Sequence, residues 1–224
     1  MKLIILLSFI GLIVATIFWW RALLRQRAEF IDRYPYAKLL DRRLAARRPE
    51  LNAAQRGLVF DGLREYFQIC REAGNRLVAM PSQAVDDAWH EFILFTRQYR
   101  QFCDRGLGRF LHHTPAEAMR TPVDAQDGIK RAWRLSCRRE GIDAQRPASL
   151  PSLFALDGLL GITGGFVYQL DCLAAASAGT ASGFCAGHIA CGGGCGGSSG
   201  CAGDGGSSSA DGGCGGGGCG GGGD

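Results

Sequence analysis

The sequence predicts an all-α protein: a small helical bundle behind an N-terminal transmembrane helix, followed by an irregular apolar segment and a disordered Gly/Cys-rich tail. Three observations predict it. No charge interrupts the chain from Leu3 to Trp20. Between Ala28 and Gly141 apolar residues recur at intervals of three and four, glycine is sparse and β-branched runs are missing. Beyond Gly179 the composition collapses to glycine, serine and cysteine, with 22 of the last 46 residues glycine, which leaves too few apolar side chains to bury a core. The 224 residues thus divide into an anchor (1–20), a basic juxtamembrane helix (21–50), a helical bundle (51–141), an apolar irregular segment (142–178) and a low-complexity tail (179–224).

The apolar run is broken only by Ser8, Gly11 and Thr16 and ends in Phe18-Trp19-Trp20. At about 1.5 Å per residue it nearly spans a hydrocarbon core, and tryptophans suit the membrane interface. A cleaved signal peptide is the rival reading, but no small-x-small cleavage site follows the run. Lys2 precedes it, whereas Arg21, Arg25, Arg27, Arg33, Lys38, Arg42, Arg43, Arg47 and Arg48 follow it. The positive-inside rule then places the body in the cytoplasm, on a bacterial-type inner membrane. Past Arg33 these cations read as an ordinary solvated helix face. A reversed topology would instead put the tail in an oxidising compartment and turn its cysteines into cross-links.

Net charge is +4, divided into +8 over residues 21–150 (24 basic against 16 acidic) and −5 over residues 151–224, with Lys2 completing it. The cations are scattered among apolar helix positions, with no aromatic-rich strand or Gly-flanked basic box, so nucleic acid is a disfavoured partner. The membrane and a protein partner remain the expected ones. A nucleophile elbow, a phosphate loop and a dinucleotide fingerprint are missing from the sequence, which removes several large enzyme classes.

Within the body, a first helix is expected over Ala28 to Arg48, bent near Tyr34-Pro35 because proline removes a backbone donor and restricts its predecessor. Asn52 caps a second helix through Cys70, stopped by Gly74-Asn75. Ser82 caps a third to about Arg105, whose buried stripe is Val85, Ala88, Phe92, Phe95, Tyr99 and Phe102. Thr114-Pro115-Ala116-Glu117 reads as a capping box, and a last helix covers Gln126 to Arg139. Leu150 to Ala176 forms a second apolar stretch. Only thirteen uncharged residues separate Asp157 from Asp171, too few for a span, so a packed loop or short strands are expected.

Three of the four histidines, His90, His112 and His113, fall in this middle. Asp86 and Asp87 stand four and three residues before His90, both within reach of it on a helix. If the chain folds back through Gly106 and Gly108, His112 or His113 meets that face, giving nitrogen ligands and a carboxylate oxygen suited to zinc or another divalent transition metal. Such pairs also serve as helix-surface hydrogen bonds or satisfied core histidines. Cys103 and Trp89 read as core residues. In the tail, Cys185, His188 and Cys191 lie at intervals of three, with Cys172 or Cys195 able to complete a tetrahedral zinc set. The same cysteines are free thiols in a reducing cytoplasm if no metal binds them.

The segments Met80-Pro81-Ser82, Val85-Asp86, Trp89-His90, Tyr99, Phe102-Cys103 and Phe110-Leu111-His112-His113-Thr114-Pro115 resemble the glycine-rich domain-containing protein-like family, in a bacterial membrane-anchored form. The resemblance covers the middle and the Cys/Gly-rich end. It implies a helical domain and supplies no catalytic roles. The function read from the whole chain is a membrane-anchored, non-catalytic binding or assembly module that can hold a metal. The alternative is a metal-dependent enzyme with a His/Asp site in the helical domain.

Overall fold

A computed structural model describes residues 2–113, 122–170, 184–185 and 189. The chain divides into a unit Met1–Gly192 and a unit Gly193–Asp224, and the second lies outside the described residues, as does the Thr114-Pro115-Ala116-Glu117 box. Among the described residues seven α-helices form: α1 Lys2–Arg33, α2 Tyr36–Arg47, α3 Ala53–Ala73, α4 Gln83–Ile93, α5 Thr96–Phe102, α6 Pro122–Glu140 and α7 Ser152–Leu160. A π-helical turn, Cys103–Leu107, closes α5. The only strands among the described residues are β1 Tyr168–Gln169 and β2 Phe184–Cys185, paired in parallel with Tyr168 opposite Phe184.

α1 is long and apolar enough over Ile4–Arg33 to cross a membrane, and none of its most apolar window is buried. A single-pass anchor and a signal sequence share that length and composition. The juxtamembrane cations do not form a separate helix as far as Arg33: residues 21–33 continue α1 without a break. Its last turn docks on the bundle. Ile31 is fully buried, and the Gln68 amide donates to the Ala28 carbonyl (2.9 Å) and to Asp32 (2.7 Å). The bend falls at Tyr34-Pro35, as proline requires, and α2 then buries Tyr36, Leu40 and Leu44.

The cations of α2 are exposed, as a solvated face requires, but some of them also tie the helix to its neighbours. Arg43 pairs with Glu91, Arg47 and Arg48 both reach Asp87, and Arg56 of α3 grips Asp41 through two nitrogens at 2.7 and 3.1 Å. That hydrogen bond holds the Asp41 carboxyl below its ordinary range. The other end of α3 is tied to α6, where Arg138 and Arg139 meet Glu65 and Glu72.

α3 is the central helix. Asn52 and Gln55 form a reciprocal capping box at 2.9 Å each way, and Gly74 ends the helix. Its inward stripe includes Val59, Leu63, Tyr66, Phe67 and Cys70. Phe67 contacts the rings of Tyr36, Tyr66, Trp89, Phe92 and Phe102, with centroids 4.7–6.2 Å away. Aromatic pairs at such spacings add to the burial energy of the core.

The expected third helix is broken between Ile93 and Thr96. Phe92 and Phe102 both pack on Phe67 and sit 5.2 Å from each other. Ten residues of straight helix would part them by about 15 Å, so the chain has to turn. The turn leaves Phe95 half-buried at the edge of the core, where the Arg43 guanidinium lies over its ring at 5.7 Å.

Another difference lies in the apolar segment expected to be irregular, where α7 forms and buries Leu153, Phe154, Leu156 and Asp157. The following loop closes over Asp157. A Cβ at Gly165 would lie 2.9 Å from the Cβ of Asp157, so this position accepts only glycine without a shift.

Cys70, Cys103 and Cys137 are buried and free. Burial pushes the Cys70 thiol up to about 12 and the Cys137 thiol up to about 11, and also raises Cys103. These raised values stabilise the fold below the ordinary thiol pKa of 9.0, and the contribution is lost as pH climbs from there toward about 12. Iodoacetamide at pH 8 should therefore leave Cys70 and Cys137 unlabelled in the folded protein and label both in denaturant, as read by peptide mass spectrometry. Labelling of Cys70 at equal rates in both states would contradict this burial.

Candidate metal centre

The site is built on α4. Ser82 caps it by accepting from the Val85 amide at 3.2 Å. One turn into the helix, Asp86 and His90 lie four residues apart and share a face, and their side chains meet. His90 Nδ1 is 2.8 Å from the Asp86 carbonyl and 3.2 Å from its Oδ2. Both neighbours are acceptors, so Nδ1 is the donor in these contacts and Nε2 is the ring nitrogen not engaged by Asp86.

His113 arrives from the segment that follows Gly108, which adopts a left-handed conformation (φ 72°) and lets the chain reverse after the π-helical turn. Its Nε2 donates to Asp86 Oδ1 at 2.9 Å, and its ring lies 4.1 Å from that of His90. One ligand atom from each of Asp86, His90 and His113 can be chosen so that all lie within 4.8 Å of one another. The side chains are 19, 40 and 15 % exposed, so the group faces an accessible surface over a packed helix.

Two further side chains hold this geometry. Trp89 is buried, with its ring 4.5 Å from the His113 ring, and its indole N–H donates to the Tyr99 hydroxyl at 3.1 Å. Tyr99 in turn donates to the Leu111 carbonyl, pinning the returning strand of chain two residues before His113. Burial raises the Tyr99 hydroxyl well above its ordinary value, so it stays a neutral donor. The sequence places both rings in the core but does not reveal this relay. The available signal was that a buried Tyr or Trp needs a partner for its polar end.

Of the candidates, Asp86, His90 and His113 come together, whereas Asp87 and His112 do not join them. Asp87 lies about 100° further round α4, and its two oxygens accept from Arg47 at 2.7 Å and Arg48 at 2.6 Å. It is an almost fully buried partner of α2 and is lost to the site. Adjacent residues of an extended segment point opposite ways, so His112 turns from His113 and its ring meets Phe110 at 4.7 Å. Cys172, His188, Cys191 and Cys195 lie outside the described residues, as does the side chain of Cys185, whose backbone pairs with Gln169.

The donor set of two imidazoles and a carboxylate suits zinc or a similar borderline cation. In its absence the same atoms share protons, with Asp86 accepting from both rings. A cation entering between them would displace the proton on any nitrogen it takes, as metal sites of this kind require.

A family model described as UCP032817-like matches residues 26–189. No curated protein and no solved structure matches the chain.

Proposed function

The chain belongs to the UCP032817-like family, and from that premise we propose that it is a single-pass membrane protein whose cytoplasmic helical body holds one divalent transition-metal ion, zinc by preference, on Asp86, His90 and His113. Its role on this reading is a non-catalytic binding or assembly module. The single observation that carries the reading is the convergence of three ligand side chains from two separate chain segments, supported by a Trp89 and Tyr99 relay that restrains both segments. The matched residues contain the whole group. The unburied apolar helix and the arginines after it support the tether and its orientation. Kinship with glycine-rich domain-containing proteins, and metal capture by the tail cysteines, belong to the same proposal.

A metal-dependent enzyme is the second reading. Three protein ligands leave a tetrahedral cation one position short, as catalytic zinc sites do. His90, at 40 % side-chain exposure, is the most solvent-accessible of the three side chains.

The test is elemental analysis and calorimetric zinc titration of the full chain in neutral detergent. His90→Ala and His113→Ala should each lose one equivalent, with an affinity loss beyond the roughly 10–100-fold that follows removal of an outer-shell partner. His112→Ala should retain that equivalent. Unchanged stoichiometry and affinity in both His90→Ala and His113→Ala would refute the site, whatever the tail cysteines bind.

A further inference from the structure

Trp89 contributes to a second feature. Besides meeting His113, it lines a cavity of about 220 Å3 together with Tyr66, Met80, Leu111, Arg76 and Arg109. His112, the histidine that leaves the metal group, lines the same cavity. None of Asp86, His90 and His113 does, so the two sites succeed or fail separately.

The cavity's polar inventory is one-sided. The Arg109 guanidinium is 3.5 Å from the Cys70 carbonyl, and Arg76 is 3.3 Å from the Ala73 carbonyl, both at the long end for hydrogen bonds. Neither meets a carboxylate among the described residues. Arg43, Arg47, Arg48, Arg56, Arg138 and Arg139 all do. No Asp or Glu lines the cavity. Two arginines therefore line one concave surface with no carboxylate partner among the described residues, and Arg109 is itself half-buried.

Beyond the two arginines the lining includes the polar side chains of Asn75, Cys70 and His112, none of which is an anion. Tyr66 donates its hydroxyl to the Val78 carbonyl at 3.0 Å, and the Trp89 N–H is committed to Tyr99. What remains of both is aromatic surface, continued by Leu77, Val78 and Leu111. Such a surface takes an apolar body, while planar guanidinium forks take an oxyanion. The volume falls below the roughly 300–1,000 Å3 of drug-sized sites, which limits the body to about the size of one ring or a branched chain.

We propose that this cavity binds a small organic oxyanion, a carboxylate or phosphate monoester on a compact apolar body, clamped by Arg76 and Arg109 against Tyr66 and Trp89. The apolar portion lies on the aromatic wall and the charged group at the two arginines.

The test is calorimetry on the full chain in neutral detergent with three probes of similar shape: benzoate, phenyl phosphate and neutral benzamide. At least one anion should saturate the protein, and benzamide should bind roughly 10–100-fold more weakly, the difference made by a charge-assisted hydrogen bond. The tighter anion identifies the group recognised. Arg109→Gln and Arg76→Gln, each with unchanged circular dichroism and thermal midpoint, should weaken the anion by a similar factor and leave benzamide unaffected. Saturation by neither anion, equal binding of benzamide, or an anion affinity untouched in the double variant would overturn the proposal.

Discussion

Asp157→Ala is expected to cost about 3 kcal/mol or more of folding stability, because one buried carboxylate closes two polar ends at once. Asp157 is 1 % exposed and stands on α7. It accepts from the Ser82 hydroxyl at 2.6 Å and from the amides of Gln83 and Ala84 at 2.6 and 3.2 Å. The first amides of α4 have no intrahelical partner, and the dipole of that helix favours an anion at this end. A fourth bond, from the Phe166 amide at 2.9 Å, folds the loop after α7 over the same carboxylate. Alanine leaves several of these donors buried and unpaired, each at about 1–3 kcal/mol. Asp157→Asn keeps the volume but turns a donor toward donors, so it should fall between the two. Urea unfolding of the full chain in neutral detergent, followed by tryptophan fluorescence, measures the difference. An Asp157→Ala protein within about 1 kcal/mol of the parent would sink the role of this carboxylate as the acceptor that supports the Ser82 cap and the first amides of α4.

The legible part of the fold is where local chemistry and tertiary packing agree. The Asn52 cap and the Gly74 stop delimit α3 in the sequence as they do in three dimensions, where Gln55 completes the cap as a reciprocal box. The Pro35 bend and the Ser82 cap are equally local. The break between α4 and α5 was hidden because its cause is not local. Val85, Ala88, Phe92, Phe95, Tyr99 and Phe102 repeat at three and four straight through it, and only the shared packing of Phe92 and Phe102 on Phe67 demands the turn. α7 escaped for another reason. Its nine residues are shorter than the window in which helical periodicity can be read, and Gly158 and Gly161 suggested a loop.

The site was legible to one residue on either side. Spacing brings both Asp86 and Asp87 near His90, and a His-His pair offers two equivalent ligands. Which of each pair is used depends on partners distant in sequence. Arg47 and Arg48, about forty residues earlier, claim Asp87. The Tyr99 bond to Leu111 sets the register by which His113 rather than His112 faces α4. The ion pairs of Arg43, Arg47 and Arg48 are illegible for the same reason, since their carboxylate partners Asp87 and Glu91 lie on another helix.

Trp89→Ala should couple stability to metal binding more strongly than any other single core change. The ring is 3 % exposed and packs on Tyr66 at 5.1 Å, on Phe67 at 6.2 Å and on His113 at 4.5 Å. Its removal opens a cavity at the heart of the aromatic cluster, which costs about 3–5 kcal/mol. It also frees the His113 ring on one side and deletes the link from α4 to Tyr99. If Asp86, His90 and His113 bind zinc, their affinity should drop by roughly 10–100-fold, the effect of losing an outer-shell support. Trp89→Phe separates the two contributions. It retains most of the packing and leaves Tyr99 bonded to Leu111, so stability should fall by about 1–2 kcal/mol, the cost of one lost hydrogen bond and a smaller ring. Zinc affinity in that variant should stay closer to the parent, because the wall against His113 is still aromatic. Zinc titration at a temperature where each variant remains folded by circular dichroism reads the coupling directly. A folded Trp89→Ala protein that binds zinc as tightly as the parent would show that the three ligands assemble without the indole, and the positioning role assigned to Trp89 would fall.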